Sequence, residues 1–170
     1  KHREHIEQLL KKCNCDTLSG YLDVSHALSL NDTFWVKKSI QDNLTWAKVS
    51  LYRNKFNNTI AKIAFDGGMY KEQFSSTSPE FTTGGTFAKC WIRENGVIKL
   101  LKRGSSGAAN AGLEPYSEFY ASQILDALEI EHVPYGKKKK DNKLVSKCKL
   151  FTTEDVGLIP YSALSKNGNI

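Results

Sequence analysis

Three features in the second half of the chain have the residue types and the order that phosphoryl chemistry needs. They are a glycine-containing loop, Thr82-Thr83-Gly84-Gly85-Thr86, a lysine that closes an apolar run, Lys102, and a glutamate early in a helical stretch, Glu118. Glycines let backbone N–H groups approach phosphates with no side chain in the way, a lysine neutralises phosphate charge, and a helix glutamate holds that lysine in place. Singly, each has a plainer explanation: a Gly-Gly pair turns the chain, a strand lysine faces solvent, a helix glutamate decorates a surface. Together, in this order and spacing, they read as the nucleotide side of a kinase. Other constellations are less coherent. His2, His5, Cys13 and Cys15 are zinc ligands in kind, but their spacing is unlike the paired ligands of common zinc sites, and no metal site is predicted. Asp155-Val156-Gly157 has the form of a metal-binding Asp-x-Gly triplet with no catalytic loop before it, and reads as coincidence. No nucleophile elbow and no Ser, His and Asp set supports a hydrolase.

The elements that must position these residues follow from periodicity and turn chemistry. Residues 4–13 place Ile6, Leu9, Leu10 and Cys13 at helical spacing, and Asp23 or Ser25 is a candidate cap for a short helix through Ala27 and Leu28. Asn31-Asp32-Thr33 predicts a turn before Phe34-Trp35-Val36, and residues 45–52 read as either strand or helix. Ile60, Ile63 and Ala64 recur at helical spacing before Asp66-Gly67-Gly68, so residues 1–70 are expected to form a small, mainly helical subdomain. Residues 71–170 change character. Strands are predicted over Thr86–Arg93 and Val97–Lys102 around the hairpin dipeptide Asn95-Gly96, then a flexible loop over 103–110. A helix follows from Tyr116 to Leu128, with Pro115 in its first turn and Phe119, Ile124 and Leu128 as its buried face. A last strand spans Leu144–Phe151, and Lys137-Lys138-Lys139-Lys140 is placed in a solvated turn between strands. The fold class is therefore α+β: an antiparallel sheet with one helix, preceded by the helical subdomain.

At 170 residues and 40% hydrophobic content the chain can bury a core. A net charge of +6 and a pI near 9.1 invite an acidic partner such as DNA. No apolar run suits a membrane span or a signal peptide, so no membrane is expected. Four scattered cysteines suit a reducing compartment, with cytoplasm the default. Lys1 at the start and the polar stretch Ser165–Ile170 at the end suggest a piece of a longer protein.

Ser78-Pro79-Glu80-Phe81-Thr82-Thr83-Gly84-Gly85-Thr86-Phe87-Ala88-Lys89, then Ile98-Lys99-Leu100-Leu101-Lys102, then Tyr116-Ser117-Glu118-Phe119-Tyr120 with Leu128 and Val133-Pro134, resembles the HipA-like serine/threonine kinase family. The likeness covers roughly residues 75–155, and departs at Phe87, where many members carry Gln two positions before the loop lysine. The resemblance implies a kinase-like amino-terminal lobe with one regulatory helix. By it, Lys102 is the phosphate-binding lysine, Glu118 its helix partner and Thr82–Thr86 the nucleotide loop. Lys149, Leu150 and Phe151, up to Thr152, would be the hinge whose backbone meets adenine. ATP is the implied cofactor, and Mg²⁺ would come only with the lobe that carries the catalytic and metal-binding aspartates. That lobe's motif has no counterpart after Lys102, where Asp126, Asp141 and Asp155 stand with no His beyond His132. The chain alone is thus expected to be inactive, and the intact enzyme to phosphorylate Ser or Thr on a protein. An antitoxin-like regulator and an off-switch by phosphorylation at Thr82 or Thr83 are also implied. The alternative is a basic regulatory module that binds DNA or an antitoxin.

Overall fold

A computed structural model describes residues 5–13, 15, 17–68, 77–107, 109 and 111–164. Among them, four strands, β1 (Lys89–Glu94), β2 (Val97–Arg103), β3 (Tyr135–Lys140) and β4 (Lys143–Lys149), form one antiparallel sheet in the order β1-β2-β4-β3. Asn95 and Gly96 close the β1–β2 hairpin with φ of 50° and 80°, the left-handed pair that a two-residue hairpin turn requires. Asp141 and Asn142, with φ of 50° and 59°, do the same between β3 and β4. The connection from β2 to β3 carries the long helix α5 (Glu114–Ala127).

The lysine run is strand, not turn. Lys137 to Lys140 pair with β4 from Ser146 to Lys143, and Asp141-Asn142 makes the turn instead. An edge strand tolerates charge, and the long stems find apolar rings to cover. Lys140 Nζ lies 4.2 Å from the centre of the Phe65 ring and Lys137 Nζ 4.4 Å from that of Phe119. Two other strand limits shift inward, β1 starting at Lys89 rather than Thr86 and β4 stopping at Lys149 rather than Phe151, while β1 ends at Glu94, β2 ends at Arg103 and β4 starts at Lys143, each one residue outside the expected limit.

Helix α5 corrects its expected buried face. Pro115 stands in the first turn as its ring geometry favours, but Ile124 and Leu128 are 59% and 62% exposed. Pro115 and Ser122 are the buried positions, and Glu118 shares their stripe. The sheet beneath offers polar partners there, so the helix turns its polar stripe inward.

Amino-terminal to the sheet lie α1 (Ile6–Lys12), α2 (Leu18–Ser25), the single turn α3 (Trp46–Val49) and α4 (Asn58–Asp66). Thr17, not Asp23 or Ser25, caps α2, its hydroxyl accepting from Gly20 N at 3.0 Å, so the helix runs earlier than expected and ends at His26. Within residues 45–52, Trp46–Val49 form the helical turn α3 and none is strand. Asn57 caps α4, and Gly67 at φ 72° ends it. Ala61 and Phe65 of α4 pack on one face of the sheet against Cys90, Leu101 and Val145. Leu28, Leu30, Val49 and Leu51 cover part of the other face at Trp91 and Ile98. The sheet is thus covered on both sides in a mixed α+β fold. No helix among the described residues is long and apolar enough to cross a membrane.

Candidate functional site

Strand register lays two rows of side chains across the face that α5 partly covers. One row is Trp91, Leu100, Cys148 and Tyr135, each opposite the next. The adjacent row is Lys89, Lys102, Ser146 and Lys137. Because alternate residues of a strand share a face, an aromatic and apolar floor lies directly beside a row of three lysines interrupted by Ser146. Above this floor is a cleft of about 260 Å³.

At its inner end, Lys102 Nζ donates to Glu118 Oε1 at 2.7 Å and to the Tyr135 hydroxyl at 2.6 Å. Glu118 Oε2 accepts from Ser146 Oγ, so both carboxylate oxygens are engaged by the sheet. Burial works against the Lys102 charge, but the Glu118 and Tyr135 contacts outweigh it and hold its pKa above the ordinary lysine value. The ammonium is therefore fully charged at neutral pH. One turn beyond Glu118, Ser122 Oγ accepts from the Tyr135 backbone N–H at 3.0 Å and lies 2.9 Å from His132 Nε2.

The glycine loop begins at a 3₁₀ turn, Pro79–Phe81, capped by Ser78. Thr83 Oγ1 donates to Pro79 O at 2.6 Å and accepts from Trp91 Nε1 at 2.8 Å. Lys89 Nζ then reaches back to Gly84 O at 2.9 Å. Gly85 has φ of +97°, a backbone conformation that residues with a Cβ rarely adopt, so the loop favours glycine at that point. At the opposite end of the cleft, Leu150 N donates to Ile98 O at 2.9 Å.

The roof comes from the amino-terminal half. Thr82 Oγ1 donates to Leu28 O at 2.6 Å, Thr152 Oγ1 donates to Leu30 O, and Leu158 N donates to Asn31 O at 2.7 Å. The segment from Leu28 to Asn31 therefore spans from the glycine loop to the end of β4.

Of the residues singled out in the sequence, Thr82, Thr83, Gly84, Lys102, Lys149, Leu150 and Phe151 all line this one cleft. Glu118 stands behind Lys102, while Gly85 and Thr86 are exposed and outside the lining. Sequence reading missed Ser29, Leu30 and Asn31, as well as Trp91, Leu100, Tyr135 and Cys148. Period-two alternation back from Lys102 along β2 points to Leu100, and across the hairpin to Trp91. The roof carries no such signal, because it is irregular chain. Among the described residues no three His, Cys, Asp or Glu converge on a point that could hold a metal ion. His2 lies outside them. A larger hollow of about 390 Å³ between α2 and residues 36–41 is walled by Leu18, Leu22 and Val36, with Lys38 tied to Asp23 at 2.7 Å.

No protein-family model, no curated protein and no solved structure matches the chain.

Proposed function

We propose that this chain is the nucleotide-binding lobe of a protein serine/threonine kinase, of the HipA-like kind that its motifs resemble. The observation that carries the reading is the 2.7 Å ion pair between Lys102 of β2 and Glu118 of α5, set beside the cleft. A strand lysine held by a helix glutamate is the arrangement with which protein kinases present a cation to the nucleotide's phosphates. The same cleft gathers Thr82, Thr83 and Gly84 at one side and Leu150 and Phe151 at the other.

ATP fits the chemistry of this lining. Leu30, Leu100 and Leu150 offer apolar contact to a base, and Lys102 offers a fixed positive charge to a phosphate. When bound, ATP would supply the phosphoryl group that the intact enzyme passes to Ser or Thr of a protein substrate. What these residues contribute is positioning: Glu118 and Tyr135 hold the Lys102 ammonium, and the hydrogen-bonded threonines hold the loop. Mg²⁺ is not fitted by the described residues, whose acidic and imidazole groups do not converge. The chain by itself is expected to bind nucleotide without transferring phosphate. Its four free cysteines accord with a reducing compartment, and cytoplasm is the proposed location.

The competing reading, a basic module for DNA or an antitoxin, draws mainly on Lys137 to Lys140. Those side chains alternate between the two faces of an edge strand, Lys138 is paired with Glu94 at 3.1 Å, and Lys137 lies over aromatic rings. A continuous phosphate-binding stripe is not built from such a strand, so the observations favour the nucleotide reading.

Titration calorimetry with ATP tests it. Saturable binding that Lys102→Met weakens by about 100-fold is expected. Heat absent from the unaltered chain, or identical in the variant, would overturn the reading.

A further inference from the structure

We propose that Tyr135 is the positioning residue that aims Lys102 at a phosphate, and so sets the preference of the cleft for an anionic nucleotide over an uncharged nucleoside. The inference rests on the nucleotide reading above. It names a contact that the sequence did not mark, on a strand whose lysines, Lys137 to Lys140, were expected in a turn.

Tyr135 is the first residue of β3 and touches both the strand lysine and the helix of the site. Its hydroxyl accepts from Lys102 Nζ at 2.6 Å, and its backbone N–H donates to Ser122 Oγ of α5 at 3.0 Å. Glu118, the other partner of Lys102, stands one helical turn before Ser122 on the same inward stripe. One residue therefore fixes the lysine directly and fixes the helix that presents the lysine's counter-ion. The geometry matters because a lysine stem has four rotatable bonds and is not preorganised by itself. A single carboxylate restrains it by one contact. The tyrosine adds a second from a different strand and a different direction, leaving the third ammonium N–H for a ligand.

Directional contacts, with Lys137 Nζ against the Phe119 ring and Ser105 N donating to Glu114 Oε2, hold the helix in register. Ile124 and Leu128 face outward, and the inward contacts of α5 to the sheet include Glu118 with Lys102 and Ser146, and Ser122 with Tyr135. Apolar packing tolerates small slides, whereas directional hydrogen bonds do not. The polar stripe thus works as a latch, and Tyr135 is the member that also forms part of the cleft. The ligand class follows from what the latch aims: a compact cation beside an apolar floor suits a base carrying a phosphate tail.

Tyr135→Phe keeps the ring and the backbone contact to Ser122 and removes only the hydroxyl. Binding of ATP and of adenosine is measured by calorimetry on the whole chain and on this variant, with thermal melting to establish folding. The variant is expected to lose about tenfold in ATP affinity, the scale of a weakened contact to a charged group, with adenosine affinity unchanged within about twofold. Equal losses for both ligands, or no loss for either, would overturn the proposal. A second measurement needs no nucleotide: the rate at which an N-hydroxysuccinimide ester acylates Lys102, followed by peptide mass spectrometry with Lys48 as internal reference. Freed from Tyr135, Lys102 should react at least about threefold faster relative to Lys48, because its ammonium loses a contact that favours the charged form. An unchanged relative rate sinks the positioning role. If the unaltered chain binds neither ligand, the nucleotide reading and the proposed preference fall together, and the acylation result alone says whether Tyr135 holds Lys102.

Discussion

Glu94 and Lys138 stand on β1 and β3, the two edge strands of the sheet, and their charged groups meet at 3.1 Å across its face. Lys99 of β2 joins the same carboxylate at 2.8 Å. Hydrogen bonds from Lys99 and Lys138 pull the Glu94 carboxyl down from an ordinary value of 4.5 to about 2, against a smaller opposing effect of burial. A depressed carboxyl binds fewer protons folded than unfolded, so its contribution is complete above the ordinary value and disappears as pH falls towards the folded one. Glu94→Gln should therefore lower the melting temperature at pH 7 by about 1 to 4 °C, modest because the group is partly solvated. The gap between variant and parent should close as pH falls from 4.5 to about 2. Melting curves over a pH series check this, and a gap as large at pH 2.5 as at pH 7 would exclude the ion pairs as its source.

Removing the central charges should separate binding from folding. Lys102 and Glu118 keep 24% and 31% side-chain exposure, so either partner left alone is still hydrated and the fold should survive its loss. Lys102→Met is expected to weaken ATP by about 100-fold, and Glu118→Gln by about tenfold, because the amide still accepts from the lysine but no longer carries charge. Circular dichroism and calorimetry on the same samples decide it. Unfolded variants would show instead that the pair is chiefly structural.

Much of the site could be read from the sequence because its parts are local. The Asn95-Gly96 dipeptide marks its hairpin, and the order of loop, lysine and helix glutamate requires no knowledge of distant contacts. Non-local features were illegible for the same reason. Nothing in Ser29-Leu30-Asn31 announces that its carbonyls will receive Thr152 and Leu158, over a hundred residues away in sequence. Four consecutive lysines suggest solvent, and only pairing with β4 and the nearby rings of Phe65 and Phe119 turns them into a strand. For α5, the apolar positions Ile124 and Leu128 point away from the sheet while Phe119 meets it through the Lys137 ammonium, because the partners beneath are a lysine, a serine and a tyrosine.

Cys148 offers a reporter inside the cleft. It is 6% exposed and lies on the floor between Leu100 and Tyr135. Burial pushes its thiol above the ordinary value, although the Tyr135 contact and the Lys102 charge work the other way. At pH 7 maleimide should label it slowly, and the rate should climb with pH as thiolate forms. Saturating ATP should slow that reaction at least about fivefold while leaving Cys15, outside the cleft, unaffected. Equal slowing at both cysteines would mean a global change in stability rather than occupancy.

Of the loop threonines, Thr82 is tied to the roof. Its hydroxyl donates to Leu28 O at 2.6 Å, a bond that a phosphorylated oxygen has no proton to make. A phosphothreonine carries about −1.5 to −2 charge at neutral pH, so it would press on the Leu28 carbonyl and compete with the nucleotide's phosphates for Lys102. The loop and the roof above it should then part together, removing Thr82, Thr83 and Gly84 from one wall of the cleft. Thr82→Val loses only the hydrogen bond: amide exchange over Leu28 to Asn31 should rise, and ATP affinity should fall about threefold. Thr82→Glu adds part of the charge, and should cost at least about tenfold, a loss that added salt partly restores. Thr83 behaves differently, since it both donates to Pro79 O and accepts from Trp91 Nε1, and Thr83→Val should quench neither exchange protection in the roof nor the salt response. For the switch itself, the full-length protein is incubated with ATP and Mg²⁺ and its phosphopeptides are mapped. Phosphate on Thr82, accompanied by loss of ATP binding, is the expected result. An active enzyme with no phosphate between residues 77 and 89 would end the switch idea, and a Thr82→Glu variant that binds ATP as tightly as Thr82→Val would end its electrostatic basis.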